Sequence, residues 1–223
     1  AIRSDGTLWG WGANGGWQLG LTDGTDKSSP VQIDTGSWSV VSSGMGNAAG
    51  HAIRSDGTLW GWGTNTFGGI GDGTTVNRSF MVLISNATNW TKLSEGQYFA
   101  AGLRSDGSLW TWGYNNIGQL GDSTAVNKSS PVKIGTSSWT AVSSGLSTMA
   151  AIRTDGALFA WGDNTLGQIG DGTTVAKNSP VQIGTSSWTA VKMGNSFAVA
   201  IRSDGTLWTW GVNNYGQLGD GTT

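Results

Sequence analysis

The chain has no cysteine, three prolines, one histidine and one glutamate in 223 residues. Without cysteine there is no disulfide framework and no thiolate chemistry. A lone histidine, His51, gives a transition metal too few of its usual ligands, so no metal or other cofactor is expected. Charged residues make up 12% of the chain and the formal net charge is −2. A nucleic-acid partner calls for a basic face that displaces counterions, and an anionic membrane calls for a polybasic one. Neither is present. No apolar run approaches bilayer-spanning length, so membrane insertion is not expected. Helical periodicity is missing throughout.

Glycine and tryptophan are abundant, at 38 and 14 residues. They fall in a repeat. AIRSDGTLWGWG at residues 1–12 returns at 52–63, then as GLRSDGSLWTWG at 102–113, AIRTDGALFAWG at 151–162 and AIRSDGTLWTWG at 200–211. Each copy is an apolar run, an Asp-Gly turn and a second apolar run with aromatics two residues apart. Asp-Gly between two such runs is a hairpin signal, because Gly supplies positive φ at little cost. The hairpin arginines, Arg3, Arg54, Arg104, Arg153 and Arg202, are spaced by 51, 50, 49 and 49 residues. A period of that size indicates a propeller or solenoid.

Other columns keep the same beat. An Asn follows each hairpin (Asn14, Asn65, Asn115, Asn164, Asn213), then a Gly-Gln-Leu-Gly-like turn and a polar loop. A short strand then opens at Pro30, Met81, Pro131 and Pro180, and a Trp-led run starts at Trp38, Trp90, Trp139 and Trp188. The unit is therefore four short strands, and Pro suits an edge where its missing N–H costs little. Four antiparallel strands in about 50 residues is the size of a propeller blade. Blades stack face to face, so aromatic pairs such as Trp60 and Trp62, which share one strand face, are expected to pack on the neighbouring blade.

AIRSDGTLWTWGVNNYGQLG at residues 200–219 resembles the regulator-of-chromosome-condensation repeat, and the resemblance covers essentially the whole chain. It implies a β-propeller, commonly of seven blades. It also implies several functions: nucleotide exchange on a small GTPase, ubiquitin-ligase modules, or inhibition of β-lactamases by a secreted member. Fold alone does not choose among them. The expectation is an all-β, β-propeller arc of four-stranded antiparallel blades, about 4.5 repeats in one domain over residues 1–223, part of a larger ring. The first unit lacks its Trp-led strand and the last its Pro-led strand. The chain is thus expected to be a piece of a longer protein, or to be met at its open blade edges by a protein partner or a neighbouring copy.

Residues copied into every unit are read as structural: Asp bonds its own turn, Arg crosses the hairpin, Asn satisfies turn backbone. His51 is expected half-buried or at the rim. No carboxylate pair stands out for acid–base work, and no enzyme activity is expected. Departures from the repeat are more informative. Trp17 takes a glycine column, Phe80-Met81 replaces Ser-Pro, residues 44–51 are longer than their counterparts, and Glu95, Gln97 and Tyr98 occupy a loop that is otherwise small. Trp17, Phe80, Met81 and Tyr98 are the candidate binding residues. The variable column Phe67, Ile117, Leu166, Tyr215 is expected to plug the gaps between blades. Composition suggests an extracellular or virion-associated structural or binding protein, with a glycan as a further candidate ligand.

Overall fold

Hydrophobic runs separated by glycine turns fold here into sixteen strands. The computed structural model describes residues 1–44 and 49–223, and those residues contain no helix. Blade 1 is β1 (Leu8–Gly12) and β2 (Lys27–Asp34), with Ile2 bridged to Leu8. Blade 2 is β3 (Trp38–Ser43), β4 (Ala49–Arg54), β5 (Leu59–Gly63) and β6 (Arg78–Ser85), antiparallel in that order. Blade 3 repeats it with β7 (Trp90–Glu95), β8 (Phe99–Arg104), β9 (Leu109–Gly113) and β10 (Lys128–Lys133).

Blade 4 has β11 (Trp139–Ser144), β12 (Thr148–Arg153) and β13 (Ala157–Gly162), and shares its last strand. The 17-residue β14 (Lys177–Met193) pairs with β13 through Val181 and Gln182, then with β15 (Phe197–Arg202) from Trp188 onward. It is the outer strand of blade 4 and the inner strand of blade 5, which β16 (Leu207–Gly211) completes. The Trp-led strands stand side by side around the axis. They line a central cavity of about 400 Å³ through Val40, Leu93, Val142 and Val191. The Pro-led strands lie at the outer edge as expected, although each starts three residues before the proline column, at Lys27, Arg78, Lys128 and Lys177. The longer stretch 44–51 falls in part on residues 45–48, outside the described residues.

The core is divided among the blade junctions. Leu103, Leu109 and Ile134 of blade 3 meet Trp139, Ala151 and Trp161 of blade 4, and equivalent clusters fill the other three junctions. One face of each blade is aromatic and the other aliphatic, which follows from the two-residue alternation of a strand buried on both sides. The second Trp of each pair also reaches back to the preceding blade. Trp62, Trp112, Trp161 and Trp210 donate their indole N–H to the carbonyls of Gln18, Gly69, Gln119 and Gln168, at 2.7, 2.9, 3.1 and 3.1 Å. Gly121 lies so close under Trp161 that a Cβ there would sit 2.5 Å from Nε1. The aliphatic face of blade 5 has no such cover among the described residues, and Leu207 is 66% exposed where Leu59, Leu109 and Leu158 are fully buried.

The repeated polar residues do structural work. In four hairpins an Asp accepts from the backbone N–H and hydroxyl of a Thr or Ser two residues on, and that hydroxyl accepts the first Trp indole N–H. Asp56, Thr58 and Trp60 show this at 2.9, 2.6 and 3.0 Å. Arg54 stacks between Trp38 and Trp60, with its guanidinium carbon 5.0 and 4.4 Å from the ring centroids. Such cation–π contacts favour a fixed arginine over a free one. Each Asn folds the following turn around itself. Asn115 is fully buried, accepts from Leu120 N–H at 2.9 Å and donates to the carbonyls of Thr124 and Val126 at 3.2 Å.

Candidate functional site

Because each blade is a copy, its neighbours act as internal controls. A residue that breaks its column without a packing reason marks asymmetry, and a binding site is asymmetric. The breaks converge on one end of the arc, across blades 1, 2 and 3. At that end lie the loops leaving β1, β5 and β9 and the loop entering β8.

A cleft of about 630 Å³ opens there, lined by Gly16, Gln18, Asp26, Thr64, Thr66, Phe67 and Tyr98 among others. Three of these residues, Gly16, Asp26 and Tyr98, depart from the repeat. Gly16 takes the column of Phe67, Ile117, Leu166 and Tyr215, and a Cβ there would lie 2.9 Å from Thr64 Oγ1. Its bare backbone leaves the cleft floor open. In a column that also holds Ala176, Asp26 stands where Asn77 and Asn127 do. Like them it accepts the N–H of the turn Asn, from Asn14 at 2.9 Å. Unlike them it brings a negative charge, and it has no ion-pair partner among the described residues.

Phe67 and Tyr98 form the aromatic wall, edge to face at 5.4 Å between centroids, with Tyr114 4.6 Å from Phe67. Tyr98 has φ +66°, the left-handed region that a bulky residue enters only at a cost. Ser147 and Ser196 in the same column do not have it. Tyr98 is held there from both sides, since its carbonyl accepts Tyr114 N–H at 2.9 Å and Gln97 N–H donates to Leu146 O at 3.1 Å. Gly69 replaces the Gln of its column, and a Cβ at that position would come within 3.1 Å of Tyr98 O.

Beneath the wall sits the chain's only histidine, paired with its only glutamate. His51 Nδ1 is 3.0 Å from Glu95 Oε1, and both side chains are buried, at 1% and 2% exposure. His51 Nε2 faces Ile70 O at 3.0 Å. Trp112 Nε1 lies 3.3 Å from the same ring nitrogen, so the imidazole is contacted on both nitrogens. His51 on β4 and Glu95 on β7 belong to different blades, so the pair clamps the junction. Glu95 Oε2 has no partner among the described residues. The two loops that supply the wall, 65–71 and 96–98, also flank this clamp.

These positions correct three expectations. His51 is not at the rim, because Glu95 and the Ile70 carbonyl satisfy it inside. Glu95 ends a strand and is buried; only the residues after it form the loop. The variable column plugs the junctions only in part: Phe67 is half-buried against Tyr98 and Tyr114 of blade 3, while the indoles fill the space beneath. Leu166 and Tyr215 stand 55% and 92% exposed. Among the candidate binding residues, the structure brings Tyr98 into the cleft. Trp17 lies on the same end of the arc with φ +59°, in the turn that also carries Gly16 and Gln18. Phe80 and Met81 are apart from both on the outer strand β6. Phe80 is exposed and Met81 packs on the cluster of Leu8, Trp38 and Trp62. Gly16, Asp26 and Gly69 were missed by sequence reasoning, and comparison of the repeat columns would have found them.

A ring segment of four-stranded blades, locked by Trp-to-turn hydrogen bonds and buried turn asparagines, defines a β-propeller of tandem repeats. Residues 5–48, 106–152 and 155–201 match the regulator of chromosome condensation (RCC1) repeat, and the chain belongs to that family. It is similar to the ultraviolet-B receptor UVR8 of Arabidopsis thaliana, 38% identical over 87 residues that make up 38% of this chain and 19% of that protein. It also resembles Prp20p from Saccharomyces cerevisiae in a study of its binding to Gsp1p and histones (TM-score 0.83, 20% identity, 98% of this chain and 56% of that one). Human WBSCR16 is similar with a TM-score of 0.74 at 22% identity, over 86% of this chain and 52% of that one. The chain thus spans about half the length of these solved structures.

Proposed function

We propose that this chain is a non-enzymatic binding module whose cleft-bearing end engages a protein partner. The observation that carries the reading is the convergence of Gly16, Asp26, Phe67 and Tyr98 on one cleft in an otherwise repetitive arc. Half-buried aromatics at a cleft mouth beside a few polar groups are the composition of a protein-binding hot spot. A position outside the cell or on a virion belongs to the same proposal and draws on composition alone. Exchange activity on a small GTPase is a second reading. It draws on the likeness to Prp20p, studied for its binding to Gsp1p; at 20% identity that likeness speaks for the fold.

The test is a photo-crosslinking amino acid at Thr66, with Ser203 on the opposite end as control. Crosslinks to one protein species from Thr66 alone support the reading. Equal labelling from both positions, or acceleration of nucleotide release from a GTPase panel, would falsify it.

A further inference from the structure

We infer that the cleft receives a basic side chain, lysine or arginine, of a protein partner. This rests on the protein-binding reading above and adds the chemistry of recognition. Three features carry it. Asp26 presents a carboxylate that no cation in the described residues neutralises, whereas the nearby Asp23 is taken by Lys27. The cleft wall is aromatic, from Phe67 and Tyr98, and aromatic faces attract cations. The floor is Gly15 and Gly16, so an incoming chain can approach the backbone closely.

The chain itself shows that its aromatics hold cations. Arg54, Arg104 and Arg202 each lie between two tryptophans, with the Arg202 guanidinium carbon 3.7 Å from the Trp208 centroid. Those sites are filled from within the same hairpin. In the cleft the aromatics and the acid are present and the cation is not supplied by a described residue. An aliphatic stem along Phe67 and Tyr98, with its charged head at Asp26, completes the set. The rest of the lining is neutral (Gln18, Thr64 and Thr66), so no second charge of the chain opposes the incoming cation. A neutral saccharide would use the same aromatic wall but would have no need of the change from Asn to Asp.

The experiment titrates the isotope-labelled chain with acetyl-Gly-Arg-Gly-amide, its neutral citrulline analogue and maltotriose. The Thr64, Phe67 and Tyr98 amides are followed by NMR. The arginine peptide is expected to shift them saturably, and the citrulline peptide to bind about tenfold more weakly or less. Asp26→Asn restores the residue of Asn77 and Asn127 and keeps the acceptor for Asn14 N–H, so it folds. It is expected to lose the arginine preference. Tyr98→Ser, the residue of the Ser147 column, is expected to lose the shift. Equal binding of the neutral peptide, no saturable shift at these amides, or shifts with maltotriose alone would overturn the inference. If the wild-type chain forms the Thr66 crosslink to a protein but does not bind the arginine peptide, only the basic-chain inference falls; if the crosslink never forms, the binding role falls too.

Discussion

Arg153 and Asp155 form a bidentate ion pair, Nη2 to Oδ2 at 2.6 Å and Nε to Oδ1 at 3.0 Å, in the one hairpin that has lost both Thr and Trp from its polar chain. Ala157 stands where the other hairpins have a hydroxyl, and Phe159 where they have the first Trp. The losses are coupled. With no hydroxyl to hold, Asp155 turns to the arginine. With no indole N–H, the phenyl ring needs no acceptor. Arg153 keeps a contact to Phe159 at 5.0 Å, and no second ring stacks on it as elsewhere. The exchange gives Arg153 an ion pair that Arg104 and Arg202 lack, whose Nε atoms have no partner among the described residues.

Acid should weaken the fold through these loops. The Arg153 guanidinium holds Asp155 down from 3.8 to about 2. At Asp171 burial pushes upward, but hydrogen bonds from Thr173, Lys177 and Asn164 outweigh it and the value falls to about 2. A carboxylate with a depressed folded value stabilises the protein above its unfolded value, and that stabilisation disappears as pH falls toward the folded one. The thermal midpoint should therefore be flat from neutral pH to about 5 and fall between about 4 and 2. Asp171→Asn should flatten that fall; an unchanged slope would exclude Asp171 as a contributor.

His51→Ala should destabilise by about 3 kcal/mol or more, because it leaves the buried Glu95 without a partner. Combining it with Glu95→Ser, the residue of Ser43 and Ser144, should recover most of the loss. Urea midpoints of both single variants and the double variant close the cycle. A double variant no more stable than His51→Ala would show that the pair is not coupled.

Trp161→Phe removes the N–H donated to Gln119 O while keeping a ring, and should cost about 1 kcal/mol. Trp161→Ala empties the junction and should cost about 3–5 kcal/mol. Equal costs measured by chemical denaturation would mean that the packing of the ring adds nothing beyond the lost hydrogen bond.

Asn115→Ala should cost about 2–3 kcal/mol. It strands the N–H of the fully buried Leu120 and takes the donor from the Thr124 and Val126 carbonyls. Amide exchange at Leu120 should speed up beyond what the global loss of stability explains.

The blades were legible because hairpin, Asn turn and Trp-led strand recur about every 50 residues. The backward packing of Trp62 followed from strand alternation. His51 and Glu95 were not legible as a pair. Each occurs once, 44 residues apart, so no period links them, and only the stacking of blade 2 on blade 3 brings them together. Phe67 and Tyr215 misled for another reason. Apolar residues between glycines read as filling; Phe67 does meet Tyr98 and Tyr114 of the next blade, but at the rim, because Trp112 fills the junction beneath. Asp26 was hidden by resemblance, since it bonds Asn14 as an asparagine would and differs only in charge.

Each indole that reaches back to the previous turn gives the arc a direction. One repeat carries a donor for the neighbour before it and an acceptor for the neighbour after it. A unit duplicated whole therefore inherits both halves of a fitting joint, and inserting it between two others breaks no bond that it does not also remake. Stability then accrues joint by joint. A propeller of this kind can change its number of blades by copying alone, while the few residues free of joint duty, such as Gly16, Asp26 and Tyr98, are left to differ.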